Sequence, residues 1–277
     1  MRADIRVESL THDYDAQVTA LRGITTTVRQ GERVAVIGPN GAGKTTLVQH
    51  FNGLARPTSG RVLVGGMDTA EHSISALAAE VGFVFQNPAD QLHARTVAAE
   101  VRFGPRNLGH ADDVVAAQVA AALAATGLTG LADAHPYHLA PAQRKLVAIA
   151  SVLAMDTPVV VLDEPTTGQD AFALDVLSAV VEDLAGRGRT VIATTHDMDF
   201  CVENFDRVLL LTDGELIADG TPAEVFTDTD PQRLPQLFRL SGELGWGSRP
   251  TTVDEFVAGL AAGRAAAPPG CPVSLES

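Results

Sequence analysis

Short runs of apolar residues alternate with longer helical stretches along most of the chain. The clearest apolar runs span residues 33–37, 82–86, 159–162, 190–194 and 208–211. Runs of four or five residues rich in valine, isoleucine and leucine, separated by helices, are typical of strands buried on both faces of a parallel sheet. The pattern therefore predicts an α/β fold with a mainly parallel sheet.

The beginning of the chain and its middle depart from this pattern. In the first thirty residues, partial alternation in IRVESL and LRGITTTVRQG favours a small N-terminal antiparallel β subdomain. Helical periodicity predominates at about 76–158, although Pro88, Gly104-Pro105 and Pro136 interrupt it. We interpret this region as an α-helical subdomain inserted between two core strands.

After Gly220 the chain carries the stretches TPAEVF, DPQRLPQLFRL and TTVDEFVAGLAAG, each of which predicts a short helix with Thr or Asp near its start. The final segment, AAAPPGCPVSLES, is typical of a disordered tail. We therefore expect a main domain at 1–222, a small C-terminal helical extension at 223–263 and a disordered tail at 264–277.

Composition narrows the possible functions. With 45% hydrophobic and 19% charged residues, the chain is typical of a packed globular protein. Its formal net charge of −14 argues against a nucleic-acid binder, which needs a basic surface for the phosphates. Two distant cysteines favour a reducing, cytosolic location. Since no signal peptide and no run of about 20 apolar residues is present, another chain must cross any membrane that this protein serves.

A phosphate-binding loop is the strongest motif in the sequence. GPNGAGKT at 38–45 satisfies G-x-x-x-x-G-K-S/T, follows the apolar run VAVI and opens the helical stretch TLVQHF. Its glycines expose backbone N–H groups to phosphate, Lys44 can bridge the β- and γ-phosphates of ATP, and the Thr45 hydroxyl can bind Mg²⁺. A glycine-rich turn that binds nothing is the alternative, which the strand–loop–helix context disfavours. The candidate ATP-binding residues are Gly38, Asn40, Gly41, Ala42, Gly43, Lys44, Thr45 and Thr46.

Two carboxylates and a histidine follow later apolar runs. Asp163 suits Mg²⁺ binding, and Glu164, one residue on, suits the general base that polarises the attacking water. His196 ends VIATTH, and ligands gather at the carboxyl edge of a parallel sheet, where it could contact the γ-phosphate. Alone these signals are weak, because strands often end in solvated acids and a single histidine is more often structural. The P-loop favours the functional interpretation.

The order of these motifs resembles that of the ATPase subunits of ABC transporters. The resemblance extends from about residue 4 to residue 228, and it includes a signature segment at 139–143 between the P-loop and the acidic pair. It implies that 1–222 is an ABC ATPase domain with the P-loop NTPase fold, and that ATP and Mg²⁺ are the cofactors.

The resemblance also implies roles for individual residues. Tyr14 would stack on adenine, with a simple turn residue as the alternative. Gln86 would contact the metal or the water and sense the membrane subunit, and Asp170 would cross the interface between two ATPase subunits. The candidate catalytic residues are then Glu164, His196 and Gln86, and the candidate Mg²⁺ ligands are Thr45, Gln86 and Asp163.

Within the ABC ATPases, two stretches of the chain resemble one particular subgroup. FVFQNPADQLHARTVAAEVRFGPRNLG is similar to the energy-coupling-factor importers, which take up vitamins and transition-metal ions such as cobalt and nickel. LPQLFRLSGELG and TTVDEF resemble the C-terminal segment with which that group holds its two ATPase subunits together. The resemblance implies a peripheral protein on the cytoplasmic face of the cell membrane, bound to integral transport subunits by a helix that docks near Gln86 to Gln91.

The signature segment departs from the family pattern. The family's Leu-Ser-Gly-Gly-Gln closes over the nucleotide on the partner's P-loop, whereas this chain has LAPAQ, which retains Gln143. Ala140 has no hydroxyl, Pro141 has no N–H, and Ala142 restricts the backbone. Each hydrogen bond lost to a charged phosphate is worth roughly 1.5–3 kcal/mol. We therefore expect a heterodimer with a second ATPase whose signature is intact, in which the site facing LAPAQ is degenerate.

Other functions remain open. LAPAQ is consistent with a regulatory module that binds ATP and turns it over weakly, although the intact Glu164 and His196 argue against it. A soluble ABC ATPase of translation or DNA repair usually has tandem cassettes or long coiled-coil insertions, which are not visible. An ABC transporter of another substrate class is the main alternative. The sequence does not identify the cargo, because the ATPase subunit never contacts it.

Overall fold

The computed structural model describes residues 4–14, 18–226, 234–246 and 250–263. The chain divides into two compact units, Met1–Val225 and Phe226–Ser277. The predicted disordered tail at 264–277 lies outside the described residues.

A six-stranded sheet forms the centre of the first unit. Its strands are β3 (Arg33–Ile37), β6 (Val81–Val84), β7 (Val159–Asp163), β8 (Thr190–Thr194), β9 (Arg207–Thr212) and β10 (Glu215–Gly220). They lie in the order β10-β9-β3-β8-β7-β6, and every neighbouring pair is parallel except β9 and β10. All residues of β7 and β8 are buried, as expected for apolar runs covered on both faces. The predicted mainly parallel sheet is confirmed.

A second, antiparallel sheet of four strands contains the N-terminus. Its strands are β1 (Ile5–Asp13), β2 (Thr19–Val28), β4 (Ser59–Val64) and β5 (Met67–Asp68), in the order β2-β1-β4-β5. This confirms the antiparallel subdomain predicted from the first thirty residues and adds two strands to it. One hydrophobic core contains residues of both sheets together with Leu47 and Phe51, so the loop that precedes Leu47 is fixed from both sides.

Three helices of the inserted region pack on one another. They are α3 (Val97–Asn107), α4 (Asp112–Ala125) and α5 (Pro141–Leu153), and the short helix α2 (Ile74–Leu77) precedes them. Strand β6 lies inside the range 76–158 that the helical pattern covers, so the packed helices begin only at Val97. Pro105 was predicted to interrupt the helical pattern, but α3 continues through it. It lies in the final turn, where the missing N–H removes one helical hydrogen bond and leaves the rest of the ladder intact.

The remaining helices of the first unit are α1 (Lys44–Gln49), α6 (Ala171–Gly186), α7 (Met198–Asn204) and α8 (Pro222–Val225). Two begin with aspartate caps that accept a backbone N–H: Asp170 Oδ1 from Ala173 at 2.9 Å, and Asp197 Oδ1 from Phe200 at 3.0 Å. In the described parts of the chain, no helix is long and apolar enough to cross a membrane.

Within its described residues, the second unit contains two helices, α9 (Gln236–Glu243) and α10 (Val253–Gly263). Two aromatic pairs stabilise it, with ring centroids 5.9 Å apart for Phe226 and Phe238 and 5.0 Å apart for Trp246 and Phe256. Several large apolar side chains of these helices remain exposed, namely Leu240, Leu244, Val253, Val257 and Leu260.

Candidate ATP site

The P-loop connects β3 to α1, and its glycines have conformations that other residues rarely adopt. Gly38 has φ +149°, and a Cβ there would lie 2.1 Å from the carbonyl oxygen of Leu211. Gly43 has φ +96°, and a Cβ there would lie 2.6 Å from the carbonyl oxygen of Ala20. Both glycines are therefore required by the packing of the loop itself, in addition to any contact with phosphate.

Lys44 lies between the P-loop and the acidic pair. Its Nζ donates to the carbonyl oxygen of Gly38 at 2.9 Å and forms an ion pair with Glu164 Oε1 at 3.5 Å. The side chains of Lys44 and Glu164 are each only 7% exposed, so water screens this pair weakly. A phosphate bound by Lys44 is therefore within reach of the predicted general base.

Asp163 and Thr45 meet at the carboxyl edge of the sheet. Asp163 Oδ1 accepts hydrogen bonds from Thr45 Oγ1 at 2.9 Å and from Thr194 Oγ1 at 2.6 Å. Burial raises the pKa of Asp163, and these two hydrogen bonds partly offset the effect.

These residues fit a magnesium ion. The Thr45 hydroxyl and the Asp163 carboxylate are the hard oxygen ligands that Mg²⁺ prefers, and a buried carboxylate is stabilised by a cation. Thr45 and Asp163 would hold the ion, which when bound would neutralise charge on the ATP phosphates.

Glu164 also pairs with His196. His196 Nδ1 donates to Glu164 Oε2 at 2.7 Å, and the histidine side chain is 60% exposed. Because Nδ1 carries the proton in this contact, Nε2 can donate to a phosphate oxygen only when the ring is doubly protonated. His196 can thus orient the carboxylate with one nitrogen and face a ligand with the other.

The backbone of Glu164 has a left-handed conformation, with φ +47°, which costs roughly 1–2 kcal/mol for a residue with a side chain. Its N–H donates to both the carbonyl oxygen and the hydroxyl of Thr194, at 3.1 and 2.9 Å. Its carbonyl oxygen accepts a hydrogen bond from Lys145 Nζ. The backbone of Glu164 is therefore held from two elements, β8 and α5.

Thr194 and Lys145 are the site residues that the motifs do not identify. Thr194 directly precedes the TH pair of VIATTH, and Lys145 follows the signature segment by two residues. Strand register brings Thr194 opposite Asp163, and residue order alone does not reveal this. A signal for Lys145 is its residue type, because lysine is rare in this chain.

Tyr14 and Gln86 lie near this cluster on its open side. The Tyr14 hydroxyl forms a 2.8 Å hydrogen bond with Thr46 Oγ1, while the residue is 62% exposed, which leaves its ring accessible. Gln86 is exposed and follows β6 at the same sheet edge as Asp163, because Val84 pairs with Leu162 on the neighbouring strand.

The signature segment begins α5. Ala140 has an extended backbone (φ −60°, ψ 152°), Pro141 is the first helical residue, and Gln143 Oε1 accepts from the Ala140 N–H at 3.2 Å. Asp170 has a local role as the cap of α6. Next to it, Gln169 Oε1 is buried and has no hydrogen-bond partner among the described residues.

Replacing Thr194 with valine is expected to lower kcat for ATP hydrolysis on the order of tenfold, because both Asp163 and the Glu164 peptide lose a hydrogen bond. Initial rates at saturating ATP and Mg²⁺ measure this effect. Thr190 is a matched control on the same strand, since its hydroxyl is buried and accepts from Gly31 at 2.9 Å away from the P-loop. Thr190→Val should lower Tm without changing kcat, and equal rate losses in both variants would contradict the assignment.

Residues 21–167 match the ABC transporter family. The chain is 44% identical over 235 residues to the energy-coupling factor transporter ATP-binding protein EcfA of Methanothermobacter thermautotrophicus, covering 84% of this chain and 76% of that protein. It is 42% identical to EcfA of Methanocaldococcus jannaschii, covering 84% of each chain.

Solved structures agree with these sequence matches. CbiO1 from Clostridium perfringens, part of the ABC transporter complex CbiONQ, superposes with a TM-score of 0.73 at 36% identity, over 82% of this chain and 92% of that chain. An ATP-binding cassette with ADP and Pi bound shares the fold alone, with a TM-score of 0.71 at 24% identity over 79% of this chain and 98% of that chain. The chain therefore belongs to the ABC transporter family, as an ATPase of its energy-coupling factor group.

Proposed function

We propose that this chain is one of two different ATPase subunits in an energy-coupling-factor importer, and that its partner has an intact signature. The observation that supports this most strongly is a contrast within the chain. Glu164 is held by contacts with both Lys44 and His196, whereas LAPAQ lacks the hydroxyl and one N–H that bind phosphate in the family's signature. The partner's signature would complete this chain's own site, and the site that faces LAPAQ would be degenerate.

At the working site, the loop from Gly38 to Thr46 would bind the ATP phosphates and Tyr14 would stack on adenine. Mg²⁺ would be held by Thr45 and Asp163, with Gln86 contacting the ion or the attacking water. Glu164 would take the proton of that water, and its two neighbours suit this role. His196 orients the carboxylate through a contact of 2.7 Å, and Lys44 lies 3.5 Å from its other oxygen.

The membrane subunit would dock in a groove next to β6. This groove has a volume of about 470 Å³ and contains apolar side chains together with Asp90 and Glu100. Gln91 lines this groove and is anchored to α5. Its Nε2 donates to the Ala148 carbonyl at 2.8 Å and to Ser151 Oγ at 2.9 Å. A helix in this groove would contact both the core sheet and α5, which begins at the signature segment. The complex would lie on the cytoplasmic face of the membrane.

The C-terminal helices at 223–263 would help to hold the two ATPase subunits together. The exposed apolar side chains of α9 and α10 support this role, because such side chains are favourably buried in an interface. We propose a transition-metal ion or a vitamin as the cargo, by resemblance to the importer group. An ABC transporter for another class of cargo is the alternative.

Purification of the tagged chain from solubilised membranes tests this proposal. We expect it to co-purify with an integral membrane subunit and with a second ATPase whose signature contains the serine and glycines. A membrane complex whose only ATPase is this chain would contradict the heterodimer. Recovery of the chain with no membrane protein would contradict the transport function.

A further inference from the structure

Lysine use in this chain is unusual. Of the 20 lysine and arginine residues, only Lys44 and Lys145 are lysines. Both contact the same residue: Lys44 Nζ lies 3.5 Å from the Glu164 carboxylate, and Lys145 Nζ donates to the Glu164 carbonyl oxygen. Lys44 belongs to the P-loop motif. The role of Lys145 remains to be explained.

Lys145 is buried at a cost to the protein. Lys145 is only 3% exposed. Burial lowers the pKa of its ammonium group to about 8, although the charges of Glu164 and Asp163 act in the opposite direction. An apolar side chain of the same length would avoid this cost. A lysine head can reach a single carbonyl in a narrow space, whereas the planar guanidinium of arginine carries five donors that need partners.

The contact made by Lys145 completes a pair of hydrogen bonds that hold the backbone of one residue, Glu164, on both sides of its Cα. Thr194 on β8 binds the N–H of Glu164, and Lys145 on α5 binds its carbonyl oxygen. Since the backbone there is left-handed, its orientation depends on these partners. The direction of the Glu164 carboxylate follows from that of its backbone.

We propose that Lys145 is a positioning residue that fixes the Glu164 backbone and thereby links α5, which begins with the signature segment, to the general base of the same subunit. This inference rests on the proposed catalytic role of Glu164. Lys145 lies about one helical turn after Pro141, so any shift of α5 as its first turn meets the partner's nucleotide reaches Glu164 directly. Helix α5 has lost phosphate-binding groups at its start, yet it retains the residue that holds the base of its own site.

The test compares variants of this chain within the purified transporter complex, using ATP as the probe. Lys145→Met keeps the side-chain length and removes the donor, Lys145→Arg retains a cationic donor, and Glu164→Gln defines the rate that depends on the base. Arg189→Met is the control, because it removes a 2.8 Å cation contact to Asp156 that lies away from the P-loop. Single-turnover rates, KM for ATP and Tm are measured for each variant.

We expect Lys145→Met to lower kcat roughly tenfold to a hundredfold, since small misplacements of a catalytic group have effects of this size. KM and Tm should stay near their wild-type values, and Lys145→Arg should recover part of kcat. If Lys145→Met hydrolyses ATP normally while Glu164→Gln is inactive, the inference is wrong and the proposed function stands. If Lys145→Met lowers kcat and Tm and also raises KM, its role is structural, and the inference is again wrong. A normal rate for Glu164→Gln would refute the proposed base itself.

Discussion

Replacing Glu164 with glutamine is expected to lower ATP hydrolysis at this chain's own site by a factor of about 10² to 10⁴, the usual contribution of a general base. Glutamine has nearly the same shape but cannot accept the proton of the attacking water. ATP should still bind, because Lys44 keeps its contacts with the loop carbonyls and loses only its ion pair to Glu164. Phosphate release and binding of labelled ATP, measured on the same complex, separate the two effects.

Glu203 provides the control for this variant. Partial desolvation raises the pKa of this glutamate, which lies on α7 outside the ATP site. Glu203→Gln should hydrolyse ATP at the wild-type rate. If Glu164→Gln retains more than about a third of the wild-type rate at this site, some other group activates the water.

Restoring the signature by changing Ala140, Pro141 and Ala142 to Ser, Gly and Gly is expected to raise turnover at the facing site by about tenfold or more. The change returns a hydroxyl and one N–H, and each hydrogen bond to a charged phosphate is worth roughly 1.5–3 kcal/mol. The backbone at Ala140 is already extended, as in ordinary helix caps, so serine fits there without rearrangement. ATP turnover of the whole complex, measured with Glu164→Gln present in this chain, isolates that site.

The single change Ala140→Ser gives an internal comparison. It adds the hydroxyl but leaves Pro141 without an N–H, so its rate should lie between those of wild type and the triple variant. Turnover that stays unchanged in the triple variant would mean that LAPAQ does not limit the facing site.

The sequence predicts the central strands well for a physical reason. Strands β7 and β8 are covered on both faces, so every residue is apolar or otherwise suited to burial, and the run stands out. Strand β10 lies at the sheet edge with alternate residues exposed, and β5 has only two residues, so neither gives such a run. A proline in the last turn of a helix looks the same in sequence as one that ends it, so the sequence does not show that α3 continues through Pro105.

The candidate site divides in a similar way. P-loop residues are found from sequence because successive positions bind one ligand, which fixes their spacing. Thr194 depends on the pairing of β7 with β8, which places it opposite Asp163. Lys145 depends on the packing of α5 against the strand end. Both contacts join segments that are distant in sequence, so the spacing of motifs along the chain does not predict them.

The ion pair between Lys44 and Glu164 connects the phosphate-binding loop to the proposed general base. The ammonium of Lys44 lies 3.5 Å from the carboxylate that we propose activates water. ATP brings phosphates that compete for this ammonium, so nucleotide binding itself frees the carboxylate. We therefore expect ATP both to occupy the site and to release the carboxylate that activates the attacking water.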